Sequence, residues 1–187
     1  MVKHELRRLF LQKRKILSGQ EVKRFNHDIK ENFEKLLTQD IKTVQIFLPI
    51  QSKIEIDTWP IIDRLWARKI KVASPVMNPD KNTMSSWLLT NKTQIELNNW
   101  SVPEPVRSTI IKDNEIDAIV VPLLAFDNTG YRVGYGKGYY DRFIATLNPE
   151  IPKIGLSFFS PVEQISDVDP WDIPLNYCIT PYEIFKF

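Results

Sequence analysis

A chain of 187 residues, 43% hydrophobic and 26% charged, has the composition of a globular protein and the length of one domain, residues 1–187. Its net charge of +2 gives no global field toward nucleic acid or a membrane surface. The lone Cys178 excludes an internal disulfide, and with only two histidines beside it a structural zinc site is not expected.

In chain order, residues 2–17 read as a helix whose apolar stripe is Leu6, Leu9, Phe10, Ile16 and Leu17, with the stem of Lys13 lying along it. Ser18-Gly19-Gln20-Glu21 has the form of a capping box, so a second helix starts there. It runs to about residue 38 and presents Val22, Phe25, Ile29, Phe33, Leu36 and Leu37. Val44–Leu48 is a short apolar run stopped by Pro49 and is read as a buried strand. A helix is expected over 56–69, with Pro60 in its first turn, followed by a strand at 70–74. This strand–helix–strand alternation predicts an α/β fold with a mostly parallel sheet flanked by helices. Residues 84–89 fit a strand, and 98–107, with Pro103 and Pro105, an ordered loop. The nearly all-apolar run 116–124 reads as a central strand and Asp127–Gly130 as a turn. A glycine-rich segment and a helix follow, then strands at 153–156 and 177–180. Cys178 lies in the last apolar run and reads as a buried, inert thiol. No apolar span approaches the ~20 residues of a membrane helix and no leader pattern is seen, so a cytoplasmic location is expected.

Four segments carry chemistry. The first is Gly134-Tyr135-Gly136-Lys137-Gly138-Tyr139-Tyr140-Asp141-Arg142, which holds three of the six glycines. Arg132, Lys137 and Arg142 surround them, and Tyr140, Phe143, Ile144 and Leu147 follow at helical spacing. A glycine turn opening a helix directs free N–H groups and the positive end of the helix dipole at an anion. The spacing is not that of a Walker A loop, and Tyr139 stands where a dinucleotide fingerprint needs its third glycine. A phosphate cradle and a tight connecting turn both remain open. Asp141 reads either as a hard oxygen ligand for magnesium or as an acid of the first helical turn.

The second is the N-terminal helix, where Lys3, Arg7 and Arg14 fall within a ~40° stripe bordering the apolar face, with Arg8 and Lys15 on the far side. The third is Phe47–Glu55, at the carboxyl end of a predicted strand, where open α/β sheets bind ligands. Glu55 can accept hydrogen bonds from the N–H groups of a flat heterocycle or simply begin the next helix. The fourth is the Trp100…Pro103-Glu104-Pro105 segment, whose indole can stack on a ring or plug the core.

In this order the segments resemble the 5-formyltetrahydrofolate cyclo-ligase family. The match is most specific from Pro122-Leu123-Leu124-Ala125-Phe126-Asp127 through Gly130-Tyr131-Arg132-Val133-Gly134 to Asp141, and the closing Asp172…Pro174-Leu175…Thr180 is similar too. Val133 stands where the family often has leucine, and the family varies at Tyr135. The resemblance implies a three-layer α/β fold of the sugar-phosphate isomerase/CoA transferase-like type. It implies closure of 5-formyltetrahydrofolate to 5,10-methenyltetrahydrofolate with ATP as co-substrate and Mg2+ as cofactor. By the same resemblance Lys3, Arg7 and Arg14 help bind ATP. Arg132, Gly134, Tyr135, Gly136, Lys137, Gly138, Tyr139 and Tyr140 wrap the phosphates, and Tyr135–Tyr139 also touch the folate. Lys137, Arg132 and Tyr139 serve catalysis, Ile50, Glu55 and Trp100 hold the pterin, and Asp141 takes the metal. A monomer without nucleic-acid or membrane partners is expected. Two other readings compete: a sugar-phosphate isomerase-like enzyme, which needs a carboxylate base and no ATP, and a nucleic-acid-binding module built on the basic first helix, whose affinity would fall steeply with salt.

Overall fold

The computed structural model describes residues 1–187. Two helices open the chain, α1 (Lys3–Lys15) and α2 (Gly19–Leu36). The capping box divides them as expected: Ser18 N–H donates to Glu21 Oε2 at 2.8 Å, and Glu21 N–H donates to Ser18 Oγ at 3.2 Å. Ile16 ends up at the C-cap of α1 and is 81% exposed, so it leaves the apolar stripe assigned to it.

Strand β1 (Thr43–Ile46) leads through helix α3 (Trp59–Ala67) into β2 (Lys71–Asn78). Helix α3 starts later than predicted because Pro60 fixes the first turn. Strand β2 runs past Pro75 to pair along its length with β3 (Thr83–Leu89). The segment read as a loop at 98–107 is a hairpin instead. Its strands β4 (Gln94–Leu97) and β5 (Pro103–Val106) form a separate two-stranded sheet, with Trp100 at the tip. The prolines fit because this small ribbon lies outside the main sheet. A two-residue strand β6 (Ile110–Ile111) returns to β3.

The second half begins with β7 (Ala118–Pro122) and a tight hairpin of β8 (Ala125–Phe126) and β9 (Arg132–Val133). Helix α4 (Tyr139–Ile144), β10 (Lys153–Leu156), β11 (Tyr177–Ile179) and β12 (Ile184–Lys186) complete it. The main sheet has eight strands in the order β12-β11-β10-β7-β1-β2-β3-β6. Strands β11, β10, β7, β1 and β2 are parallel; β12 and β3 pair antiparallel at either side.

Alternation along the central strands divides the core. Ala118 and Val120 face a cluster with Phe25, Ile29 and Phe33 of α2 and Ile61, Ile62 and Leu65 of α3. Ile119 and Val121 face the opposite cluster with Tyr139, Phe143 and Ile144 of α4, in which Cys178 is fully buried. Burial raises the Cys178 thiol pKa, as an inert thiol requires. Helix α1 packs separately, Leu6 and Phe10 covering Leu124, Ala125 and Val133 of the β8–β9 hairpin. The molecule is thus a three-layer α/β structure, as expected. No helix is long and apolar enough to cross a membrane.

The topology fixes where a ligand can enter. β1 and β7 are neighbours, yet the chain leaves β1 toward α3 on one face and β7 toward α4 on the other. Their carboxyl-terminal loops therefore diverge and leave a crevice between them, the switch-point position of open α/β sheets.

Candidate active site

A cavity of about 530 Å³ occupies that crevice. From the β1 side come Phe47, Leu48, Ile50, Lys53 and Glu55; from the β7 side come Pro122, Arg132 and the whole run Gly134–Asp141. Lys3 and Arg7 of α1 and Trp100 of the β4–β5 hairpin complete the lining. Every residue to which the family resemblance gives a role lines this space except Arg14. Arg142, the third cation beside the glycines, is also outside it and donates to the Asn82 and Lys137 carbonyls, both at 2.9 Å.

The glycine segment is shaped more locally than its composition suggests. Gly136 and Gly138 have φ of +87° and +67°, which other residues adopt only with strain. Gly134 has no such requirement, and a Cβ built there meets nothing within 4 Å. Arg7 lies beneath the run: its Nε donates to the Gly134 carbonyl at 2.9 Å, and its guanidinium carbon would sit 3.3 Å from a Cβ on Gly136. The loop and the basic helix are thereby one unit. The helix that follows is only six residues long, so the dipole contribution expected from it is small, and loop N–H groups and side-chain cations must supply most of the positive potential.

The cations differ in how free they are. Lys137 is exposed, and its ammonium lies 5.8 Å from the Trp100 ring centroid. It enters none of the protein's ion pairs. Arg132 is committed: Nη2 donates to Asp141 Oδ1 at 2.7 Å and Nη1 to the Ile173 carbonyl. Lys3 donates to Asp169 at 2.8 Å and Asp172 at 2.5 Å. Burial works against its charge, but these two carboxylates outweigh that and raise its pKa.

Glu55 is 7% exposed and is held by both oxygens. Oε2 accepts the Ile50 N–H at 2.7 Å, and Oε1 accepts the Tyr135 hydroxyl at 2.5 Å. Burial raises its pKa against the pull of those two donors and of Arg14 and Lys53. The Tyr135 hydroxyl is pushed up by its own burial and by the Glu55 charge; burial does the same to Tyr140. Trp100 packs 6.2 Å from Tyr139 and is 41% exposed, so its indole is offered to the cavity and does not fill the core. Its hairpin is pinned by Glu104, whose buried carboxylate accepts from Met77 N–H at 2.9 Å and Asn98 Nδ2 at 3.0 Å.

Two features of the wall were not assigned a role from the sequence. The first is the loop Asp169–Asp172, which adds two carboxylates and Trp171, 69% exposed, to the cavity. The acid–Pro–Trp–acid run (Asp169-Pro170-Trp171-Asp172) is visible in the sequence, but only the fold carries it to Lys3. The second is Met77 together with Pro75 from β2. Arg14 is the reverse case. It shares the stripe of Lys3 and Arg7 but is 3% exposed, donating to the Leu123 carbonyl and the Tyr135 hydroxyl.

No group of three or more His, Cys, Asp and Glu side chains is gathered to enclose a metal ion. Asp141, Asp169 and Asp172 nevertheless line one cavity, and magnesium is commonly held by one or two carboxylates with phosphate oxygens completing the shell. The donor set fits that ion and would not make a closed structural site.

Comparison with known proteins covers nearly the whole chain. The model of the 5-formyltetrahydrofolate cyclo-ligase family matches residues 1–181. A 5-formyltetrahydrofolate cyclo-ligase of Mycoplasma pneumoniae is 29% identical over 182 residues, covering 96% of this chain and 98% of the relative. One from Escherichia coli K12 is 30% identical over 152 residues, 78% of this chain and 81% of the relative. Among solved structures, a 5,10-methenyltetrahydrofolate synthetase of Mycoplasma pneumoniae superposes with TM-score 0.79 at 29% identity, covering 97% of this chain and 99% of the other. One from Aquifex aeolicus superposes with TM-score 0.83 at 30% identity, covering 100% and 93%.

Proposed function

The chain belongs to the 5-formyltetrahydrofolate cyclo-ligase family, and from that premise we propose that it closes 5-formyltetrahydrofolate to 5,10-methenyltetrahydrofolate at the expense of ATP, in the crevice between β1 and β7. The observation that carries this reading is the convergence on one cavity of a free cation, a glycine loop, a buried carboxylate and an offered indole. ATP would lie toward Lys3, Arg7 and the glycine run, and the folate toward Ile50, Glu55 and Trp100.

The formyl group of an amide is unreactive toward an amine because its oxygen is a poor leaving group. Transfer of the γ-phosphoryl group to that oxygen breaks the β–γ bridge, releases ADP and gives an imidate-like phosphate. The N10 lone pair then attacks the activated carbon, the C–O bond to phosphate breaks, and N10 gives up its proton. Phosphoryl transfer asks the protein mainly for positioning and charge neutralisation. Lys137 follows the migrating charge, its flexible stem beside Trp100. Arg132 holds Asp141 in place while facing the same cavity. Tyr139, buried at the start of α4, backs Trp100 and shapes the passage between the two substrates. Asp141, with Asp172 nearby on the wall, would hold Mg2+, which when bound supplies positive charge to the phosphate oxygens. The pterin's N–H groups would donate to Glu55.

The test is direct. Protein mixed with 5-formyltetrahydrofolate, ATP and magnesium should generate the near-ultraviolet chromophore of the methenyl product, with one phosphate and one ADP per turnover. Folded protein that gives no spectral change with all three present would overturn the reading.

A further inference from the structure

Arg14 carries a charge that the binding scheme above leaves unused. It lies on α1, two turns beyond Arg7, with its guanidinium sealed behind the cavity wall. A buried arginine is expensive unless its donors find acceptors. One finds the Leu123 carbonyl at 2.5 Å and one the Tyr135 hydroxyl at 3.3 Å, while Nε has no partner. The Tyr135 hydroxyl, accepting from Arg14, donates its own proton to Glu55 Oε1 at 2.5 Å. The result is a directed chain, guanidinium to phenol to carboxylate, running from the first helix through the glycine loop to the β1–α3 connection.

We propose that Arg14 and Tyr135 are positioning residues for Glu55, acting on the folate side of the site and not on ATP. The proposal rests on the reading of Glu55 as the folate carboxylate. Its physical content is polarity. A carboxylate this buried tends to take up a proton and become a donor, which is the wrong partner for ring N–H groups. The phenol supplies one hydrogen bond to Oε1, the Ile50 N–H supplies one to Oε2, and the arginine orients the phenol's proton toward the acid. Lys53 lies 4.0 Å from the Tyr135 ring centroid and fixes the ring from another side. Each carboxylate oxygen has accepting capacity left over, and the group lines the cavity.

The experiment compares Tyr135→Phe, Arg14→Met, Glu55→Gln and the Tyr135→Phe/Glu55→Gln double variant, each with KM measured separately for 5-formyltetrahydrofolate and ATP and with a thermal melt. Tyr135→Phe keeps the ring and removes only the hydroxyl that links the chain. It should raise the folate KM about tenfold and leave the ATP KM within about twofold. Added to Glu55→Gln, it should have little further effect on the folate KM, because the group it positions is already altered. Arg14→Met should follow Tyr135→Phe in direction; if its melt is too low for assay, Tyr135→Phe carries the test alone. An ATP KM that rises in place of the folate KM, or effects of Tyr135→Phe and Glu55→Gln that multiply fully, would overturn the proposal. The same set separates failures. A wild-type protein without ATP-dependent product formation removes the functional reading and this proposal with it. An active wild type whose folate KM is unchanged in Glu55→Gln removes the role given to Glu55 and this proposal, and leaves the functional reading standing. An active wild type with an impaired Glu55→Gln and a silent Tyr135→Phe removes only the proposal.

Discussion

Gly136→Ala tests whether the glycine loop and the basic helix work as one unit. At φ +87° an alanine costs about 1–2 kcal/mol in backbone strain. Its Cβ would also sit 3.3 Å from Arg7 Cζ and 3.4 Å from Arg7 Nε, tighter than ordinary contact. The guanidinium must give by a few tenths of an ångström, and the bond it makes to Gly134 O at 2.9 Å is the one at risk. A hydrogen bond from a charged group is worth about 1.5–3 kcal/mol, of which part is lost on a displacement this small. Because the loop is exposed and can relax, a total of about 1–3 kcal/mol is expected, or a fall in Tm of roughly 3–10 °C at this chain length. The displaced Arg7 should also raise the KM for ATP. Gly134→Ala is the internal control: with open space around its Cβ and no left-handed backbone, its stability should stay within about 0.5 kcal/mol of wild type. Thermal melts and initial rates at varied ATP read both effects. Equal melting losses in the two variants would refute the backbone argument, and a Gly136→Ala protein that melts early with an unaltered ATP KM would refute the role given to Arg7.

Two further outcomes follow from the charges in the cavity. Asp141→Asn should shift the magnesium dependence of turnover about tenfold or more toward higher concentration; an unchanged magnesium titration would leave Asp141 as the structural partner of Arg132 only. Glu55→Gln should cost no stability at pH 8. Burial raises the folded-state pKa of Glu55 above its unfolded value, so as pH climbs between the two the folded state binds more protons than the unfolded one and wild-type stability declines. The uncharged glutamine escapes that decline, so its Tm advantage over wild type should shrink as the pH is lowered toward 5, and a gap that widens instead would refute the sign.

The sequence exposed those parts of the molecule that are determined locally. Ser18 and Glu21 mark the α1–α2 boundary because both halves of a capping box lie within four residues. The strands β1 and β7 declare themselves as short apolar runs because they are buried on both faces. What stayed hidden depends on distant partners. The β4–β5 hairpin was masked by Pro103 and Pro105, whose local signal is a loop, while the pairing that makes them a strand is set by Gln94–Leu97 and by the docking of Glu104 on β2. Helical angle placed Lys3, Arg7 and Arg14 in one stripe, yet angle says nothing of position along the axis. Eleven residues at 1.5 Å put Arg14 roughly 16 Å beyond Lys3, past the end of the cavity and under Tyr135. The acidic loop at Asp169–Asp172 could not be matched to Lys3 across more than 160 residues without the fold.

The short α4 bears on how the proposed site would attract phosphate. In nucleotide folds with a long helix after the glycine turn, much of the attraction for phosphate comes from the helix terminus. Here that helix spans Tyr139–Ile144 and its N-cap, Gly138, is left-handed with no side-chain cap. For the proposed ATP site the compensating charge would come from the opposite end of the chain. Lys3 and Arg7 come from a helix that packs through Leu6 and Phe10 on the third cluster, around the β8–β9 hairpin, with Phe10 also meeting Phe159 edge-on at 5.4 Å. The hydrophobic contacts of that third cluster therefore do more than add stability: they register Arg7 against the glycine loop and Lys3 against the carboxylates of Asp169 and Asp172. They also bring Arg14 to Tyr135, so on the proposed reading one helix would serve the phosphate side with its first two turns and the Glu55 side with its last. On the proposed reading, the alignment of both substrates in one crevice rests on this single packed element.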